Sequence, residues 1–262
     1  MAGHATRGLA LDNAAWDSPW RLRAVRDKAV LAFGLIAAAL VLPAWPGSLV
    51  VALVALVTLL GPARVAPGLL ARCLSGPAVF IVIGAASVAV TLTWEGGLRL
   101  GMTSESVAAA GSVFGHAVAG TLGLFVLATT TPMVDLLAAL RRARVPDACI
   151  EVAALIYRML FALLESVQAI HRAQEQRLGY ADRRSAMRSA AMAVGAVMMR
   201  AWQQAARLED GLAGRGYSDA MRTLDPPRHA SARFLAASAA VLAGVVALTL
   251  LLSGTGVAGW SA

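Results

Sequence analysis

Lysine is almost missing from this 262-residue chain: of its 23 basic residues, Lys28 is the only lysine and the other 22 are arginine. A phosphate-binding P-loop needs a Lys directly after Gly. Lys28 follows Asp27, so the chain carries no such loop. If ATP drives this protein, another subunit must bind it. Cysteine is scarce as well. Cys73 and Cys149 are far apart and read as small hydrophobes, not as a disulfide or a metal pair. The four histidines, His4, His116, His171 and His229, show no HxxxH or HExxH spacing, which gives a zinc enzyme little support. Charge is also sparse. Only 15% of residues are charged and 58% are hydrophobic, against about a quarter and about half in soluble domains. That balance excludes an ordinary soluble domain, and it excludes a disordered chain because so much apolar surface seeks burial.

What is present is long uncharged runs. Lys28 to Arg64 contains no charge between its ends, and Leu42-Pro43-Ala44-Trp45-Pro46-Gly47 breaks it in the middle. Each half holds about 14–16 residues, roughly 21–24 Å of helix against a hydrocarbon core of about 30 Å. The spacing predicts a hairpin of two short helices, Ala29–Leu42 and Ser48–Leu60, which thin the bilayer or tilt within it. A third span is expected from about Gly76 to Trp94, with Trp94 at the membrane–water interface. A polar turn, Glu95–Glu105, leads to a fourth span, Val107–Thr130, closed by Thr129-Thr130-Thr131-Pro132. The last span is Phe234–Leu252. The expected fold class is therefore all-α: a polytopic membrane protein with about five transmembrane helices.

The fourth span carries Gly111, Gly115, Ala119 and Gly123, each four apart. This row leaves one helix face nearly flat, for close packing within the chain or for contact with a partner subunit. His116 lies beside it. No intramembrane Asp or Glu is at hand to make it a proton relay, so it reads as a packed or hydrogen-bonded side chain.

Basic residues set the orientation. Arg21, Arg23, Arg26 and Lys28 precede the first span, Arg64 and Arg72 lie between the second and third, and Met133–Arg233 holds 15 basic and 10 acidic residues. If the spans alternate, these regions share one side, the cytoplasm, and five spans leave the C-terminus outside. Four segments follow: a cytoplasmic N-terminal segment (1–27), which is polar and lacks a signal-peptide pattern, membrane helices 1–4 (28–131), a cytoplasmic helical segment (132–233), and the last membrane helix with its tail (234–262).

The cytoplasmic segment has almost no Gly or Pro until its end and reads as helices. Met133–Ala143 is short and amphipathic, and Arg144-Val145-Pro146-Asp147 breaks and restarts the chain. A long helix is expected from Asp147 to about Leu178. Glu151, Arg158, Glu165 and Arg172 recur every seven residues on one side, opposite an apolar stripe of Val152, Leu155, Ile156, Met159, Leu163, Val167 and Ile170. A second runs from about Asp182 to Ala213, with Met187, Ala190, Val194, Val197, Met198, Ala201, Ala205, Leu208 and Leu212 on its apolar side. Methionine adapts to changing neighbours, so this side serves either as core filling or as a surface that repacks. Each helix ends in a similar way, with Gln176-Arg177-Leu178-Gly179-Tyr180 and with Gly214-Arg215-Gly216-Tyr217. An Arg there caps the last carbonyls, or presents a planar charged fork to carboxylates on a partner.

This pattern resembles the transmembrane T component of energy-coupling factor (ECF) transporters. Gly214-Arg215-Gly216 is similar to that family's Ala-Arg-Gly signature. Trp16-Asp-Ser-Pro-Trp20, Thr130-Thr-Pro132, Leu136-Leu-Ala-Ala-Leu-Arg141, Val145-Pro146, Tyr157-Arg158 and the run ending at Tyr180 resemble the cobalt-type branch, CbiQ. Gln176 and Gly214 stand where the signature has Ala, and Leu178 replaces its first Gly; both central arginines are kept. The resemblance implies an energy-coupling subunit, not an enzyme. It joins a substrate-binding membrane subunit, with a small accessory membrane subunit, to two cytoplasmic ABC-type ATPases. Arg177 and Arg215, with Gln176, Leu178, Gly214 and Gly216, would form the ATPase-coupling sites. Gly111, Gly115, Ala119, Gly123, Met187 and Met198 would serve helix packing or partner contact. The chain itself would hold no cofactor or metal; ATP and Mg would sit on the ATPases. It would lie in the bacterial inner membrane with a cytoplasmic N-terminus and serve cobalt uptake, with nickel or a vitamin as alternative cargo.

Two other classes fit the sequence less well. An intramembrane enzyme acting on lipid phosphates needs paired carboxylates for Mg²⁺. Glu209-Asp210 is the only adjacent acidic pair, and neither Asp219 nor Asp225 gives it a diphosphate-metal spacing. A nucleic-acid partner is excluded because the basic residues are interleaved with acids and adjoin the spans.

Overall fold

A computed structural model of the chain describes residues 2–94, 98–214 and 230–254. Among these residues are nine α-helices and one small hairpin of strands. The chain divides into two compact units: one contains Thr6–Leu136 and the C-terminal segment, the other contains Leu137–Pro226 and the first five residues.

The first unit is the membrane part. Helix α1, Ala2–Asp17, occupies the polar N-terminus. Helix α2 spans Val25–Val41 and α3 spans Leu49–Leu60. Between them Pro43 and Pro46 interrupt the helical hydrogen-bond ladder, and the chain passes through one irregular turn, Ala44–Ser48, in which Trp45 is extended. The turn is tight: a Cβ on Gly47 would lie 2.9 Å from the Leu42 Cβ, so the close approach depends on glycine.

Helix α4 covers Pro67–Ala89 and α5 covers Ser104–Ala128. The third helix thus starts nine residues before the expected Gly76 and stops before Trp94. Pro67 sits in the first turn, where its missing N–H costs nothing, and Pro77 is accommodated inside the helix. Strand β1 (Thr91–Trp94) takes the end of the expected third span and strand β2 (Leu98–Gly101) lies inside the expected polar turn; they pair antiparallel with Thr91 opposite Gly101 and Trp94 opposite Leu98. Thr103 then starts α5 with a capping box: its hydroxyl accepts the Ser106 N–H (3.1 Å), and the Ser106 hydroxyl accepts the Thr103 N–H (3.0 Å).

Helix α5 is the hub of this unit. It packs on α2, α3 and α4, while the last helix, α9 (Ala232–Gly254), packs on α2 and α3. Leu31, Leu35, Val51, Leu59, Leu122, Phe125 and Val245 form the core. Three helices, Pro67–Ala89, Ser104–Ala128 and Ala232–Gly254, are long and apolar enough to cross a membrane; α3 is shorter. Away from their charged ends these helices expose large apolar side chains, including Phe80, Ile83, Phe114 and Leu251, as a lipid-facing surface requires.

Helix α6, Met133–Arg142, leads into the second unit. Arg144 takes a left-handed conformation (φ 64°) at the break, and Arg141 pairs with Asp147 across it at 3.0 Å. Helices α7 (Asp147–Gln176) and α8 (Arg183–Ala213) are 30 and 31 residues long and pack against each other. Their packed faces differ from the expected stripes. On α8 the buried and half-buried line is Ser185, Ser189, Ala193, Val197, Ala201, Gln204, Leu208 and Leu212, and Met187, Val194 and Met198 lie off it, exposed. On α7, Leu155, Met159, Leu163 and Ile170 are half-buried, whereas Val152, Ile156 and Val167 are exposed. Glu151, expected on a solvated charged stripe, is buried and has an interaction partner.

Candidate functional site

The turn between α7 and α8 carries the first expected coupling site. Gln176 ends α7, and Arg177 is its C-cap, with its N–H donating to Gln174 O at 3.1 Å. Leu178 takes a left-handed conformation (φ 57°), and the Gly179 N–H returns to Gln174 O at 2.8 Å. This closure satisfies the last carbonyls of α7. It also makes the capping role partly one of main chain, leaving the Arg177 side chain exposed. Leu178, 76% exposed, stands beside it.

A polar cluster beneath the turn fixes its shape. The Tyr180 hydroxyl donates to Gln174 Oε1 (2.7 Å), Gln174 Nε2 donates to Ser189 O (2.9 Å), and the Ser189 hydroxyl donates to Gly179 O (2.8 Å). The His171 ring stacks on Tyr180 at 4.7 Å, and His171 Nδ1 lies 3.4 Å from Glu175 Oε1. Gly179 fits against this cluster so closely that a Cβ there would meet Ser189 Oγ at 2.5 Å. Gln174 and Ser189 are thus the supporting residues that sequence reading missed, while Tyr180 stood in the motif without a stated role. Only the Tyr after Gly gave a hint of them.

Asp182 starts α8 by accepting the Ser185 N–H at 2.8 Å, and the Ser185 hydroxyl at 3.2 Å adds to it. These bonds hold the Asp182 carboxyl below the usual carboxylate range. The cap's contribution is therefore complete at neutral pH and is lost as pH falls through that lowered value.

Gly214 caps α8, its N–H donating to Asp210 O at 2.9 Å. Arg215 and Gly216 lie outside the described residues, so of the second expected coupling site the structure describes Gly214 alone. Met187 and Met198 are 77% and 63% exposed. Together with Val194, Met199 and Trp202 they give α8 an uncovered apolar surface in this chain.

The small-residue row on α5 is split. A Cβ on Gly123 would meet Ile36 at 3.0 Å, one on Gly115 would collide with the Ser48 hydroxyl, and Ala119 is fully buried. These three positions pack inside the chain, whereas a Cβ on Gly111 would meet nothing within 4 Å. His116 Nδ1 is buried without a hydrogen-bond partner among the described residues. No group of three or more potential metal ligands occurs among the described residues.

The apolar helices define a multi-pass helical membrane protein, and two long amphipathic helices form most of a separate compact unit. Comparison with known proteins gives the particular family. Residues 17–224 match the family model for the cobalt transport protein CbiQ. The chain is 37% identical to the cobalt transport protein CbiQ of Rhodobacter capsulatus, over 93% of this chain and 98% of that protein. It is 30% identical to the putative fused cobalt transport protein CbiMQ of Methanocorpusculum labreanum, over 64% of this chain and 29% of that protein. It is 28% identical to the cobalt transport protein CbiQ of Salmonella typhimurium, over 49% of this chain and 62% of that protein. The chain belongs to the CbiQ family of cobalt transport proteins.

Proposed function

We propose that this chain is the energy-coupling T subunit of an ATP-driven ECF transporter for cobalt, linking an ATPase pair to a substrate-binding membrane subunit. The observation that carries the reading is the α7–α8 turn: an exposed arginine at a helix tip, on a turn shaped by a half-buried polar cluster, within a family of cobalt transport proteins. A guanidinium presented from this turn can pair bidentately with carboxylates lining a groove on each ATPase. The exposed methionines of α8 suit a contact that changes during the cycle. ATP and Mg belong to the ATPases, and cobalt to the substrate subunit; this chain transmits movement and performs no chemistry. The relative named as a fused CbiMQ supports a membrane partner working beside this chain. The N-terminus and the α7–α8 unit face the cytoplasm of a bacterial inner membrane.

The test is charge reversal. Arg177→Glu and Arg215→Glu together should abolish co-purification of the ATPases and cobalt uptake, while the chain still inserts. Retained binding and uptake would sink the docking role of the two arginines.

A further inference from the structure

The chain leaves the membrane unit after Leu136 and is back in it when next described, at Ala230. Beside both connections the backbone is fastened to one place, two adjacent residues of α2. Lys28 Nζ donates to Thr130 O at 2.7 Å, six residues before the exit. Asp27 Oδ2 accepts the Ser231 N–H at 2.9 Å, where α9 is about to begin. Both side chains are 0% exposed, and so are Thr129 and Thr130. A third bond lies next to these: Asp12 Oδ1 of α1 accepts the Met133 N–H at 3.2 Å, at the first residue of α6.

Each bond has a local reason. Thr129 and Thr130 turn their hydroxyls back onto Phe125 O and Val126 O at the end of α5. Thr130 O remains as an end carbonyl, and Lys28 takes it with a full positive charge, favourable at a helix C-terminus. Ser231 is half-buried and its hydroxyl accepts the Phe234 N–H (3.3 Å), so Asp27 holds the residue that caps α9. Trp20 and Arg23 lie on the Phe234 ring at 5.0 and 4.6 Å and seat the same turn.

A plain helix junction does not need buried charge. Removing a carboxylate and an ammonium from water is costly, and apolar residues of similar volume pack at least as well. Asp27 is not even fully satisfied: its Oδ1 has no hydrogen-bond partner among the described residues, and Arg26 Nε is 4.0 Å away. An ionisable pair buried inside a membrane unit is by default a functional-site hypothesis. What these two do is hold both connections to one helix. We infer that Asp27 and Lys28 form a clasp that ties the end of α5 and the start of α9, the residues next to both connections, to α2, so that movement reaching those connections is passed into the membrane unit through α2. Helix α2 packs on α5 and α9, so a shift of α2 reaches the bundle core. The residues act through others and are positioning residues.

The inference rests on the coupling role proposed above. It is tested in proteoliposomes holding the complete complex with both ATPases. Lys28→Met keeps the side-chain length and removes the charge. A spin label at Leu40→Cys, on the exposed far end of α2, reports that helix in a Cys149→Ser background, where the remaining Cys73 is buried. In the otherwise unchanged complex the label's spectrum should alter on nucleotide binding. With Lys28→Met that change should vanish and cobalt taken up per ATP should fall about tenfold, while ATP hydrolysis stays within about twofold. A label response and uptake ratio that survive Lys28→Met overturn the clasp, as does a label on α2 that never responds to nucleotide. If Lys28→Met does not assemble, Asp27→Asn, nearly isosteric, is judged by the same two readouts. A label that responds in a complex that takes up no cobalt overturns the cobalt assignment alone and leaves the clasp standing on the Lys28→Met comparison.

Discussion

At the scale of single residues, the candidate site is an exposed charge on a turn with half-buried polar support. Arg177 owes its position less to its own bonds than to Gln174, which accepts from Tyr180 and donates to Ser189 O on the neighbouring helix. Removing one such bond leaves a half-buried amide oxygen short of a donor. Tyr180→Phe should therefore destabilise the turn by about 1 kcal/mol and weaken ATPase binding about fivefold, with Arg177 unchanged. Affinity measured against the purified ATPases checks this; unchanged affinity would mean that the turn holds its shape without the hydroxyl. The sequence displayed Arg177, Gly179 and Tyr180 as neighbours, because a Gly after a helix and an Arg in its last turn have known meanings. It could not display Gln174 or Ser189, whose partnership is made across two helices. Lys28 was read as one of four solvated charges ahead of the first span. In the fold it is fully buried, because α2 begins three residues earlier and turns that position inward. Arg21 and Arg23 likewise lie over Trp16 and Phe234.

At the scale of elements, most helices follow from where charge, Pro and Gly interrupt apolar runs. The boundaries of α3, α5, α7 and α8 fall close to their expected places, since each has a cap or a Pro/Gly stop in the sequence. The third expected span departs, because Arg72, placed by its charge in the loop ahead of the span, lies inside a helix begun by Pro67. The packed face of α8 departs for another reason. Ala and Ser are common all round it, so the apolar period alone does not say which small residues face α7 and which methionines stay outside. The small-residue row on α5 shows the same ambiguity and gives a test of it. Gly115→Leu should overpack against Ser48 and cost about 1–3 kcal/mol, whereas Gly111→Leu, with open space at that position, should be nearly neutral for the isolated chain. Thermal unfolding in detergent separates the two. Equal midpoints would show that α5 can shift away from the irregular turn before α3. If Gly111→Leu leaves stability intact but blocks assembly with the substrate subunit, the open end of the row is a partner contact.

At the scale of the whole molecule, the charge divides as the architecture does. Of the 23 basic residues, 15 lie in Met133–Arg233 with 10 acids, so this segment carries most of the excess without being a basic patch. Carrying arginines across a bilayer costs about 2.5–3.5 kcal/mol each at a helix centre, so fifteen of them in one segment strongly bias which side it stays on. That segment also holds the one exposed cysteine among the described residues, Cys149 near the start of α7, while Cys73 is buried in the membrane unit. The natural chain is therefore its own reporter of sidedness. A membrane-impermeant maleimide should label Cys149 in inverted inner-membrane vesicles and leave it unlabelled in right-side-out spheroplasts, and Cys149→Ser should remove the signal from both. Labelling from the outside would place α7 and α8 away from the cytoplasm, where no ATP-driven subunit could reach Arg177. The coupling role would then fail for this chain even with its family intact, because the role depends on which face of the membrane presents the helix tips.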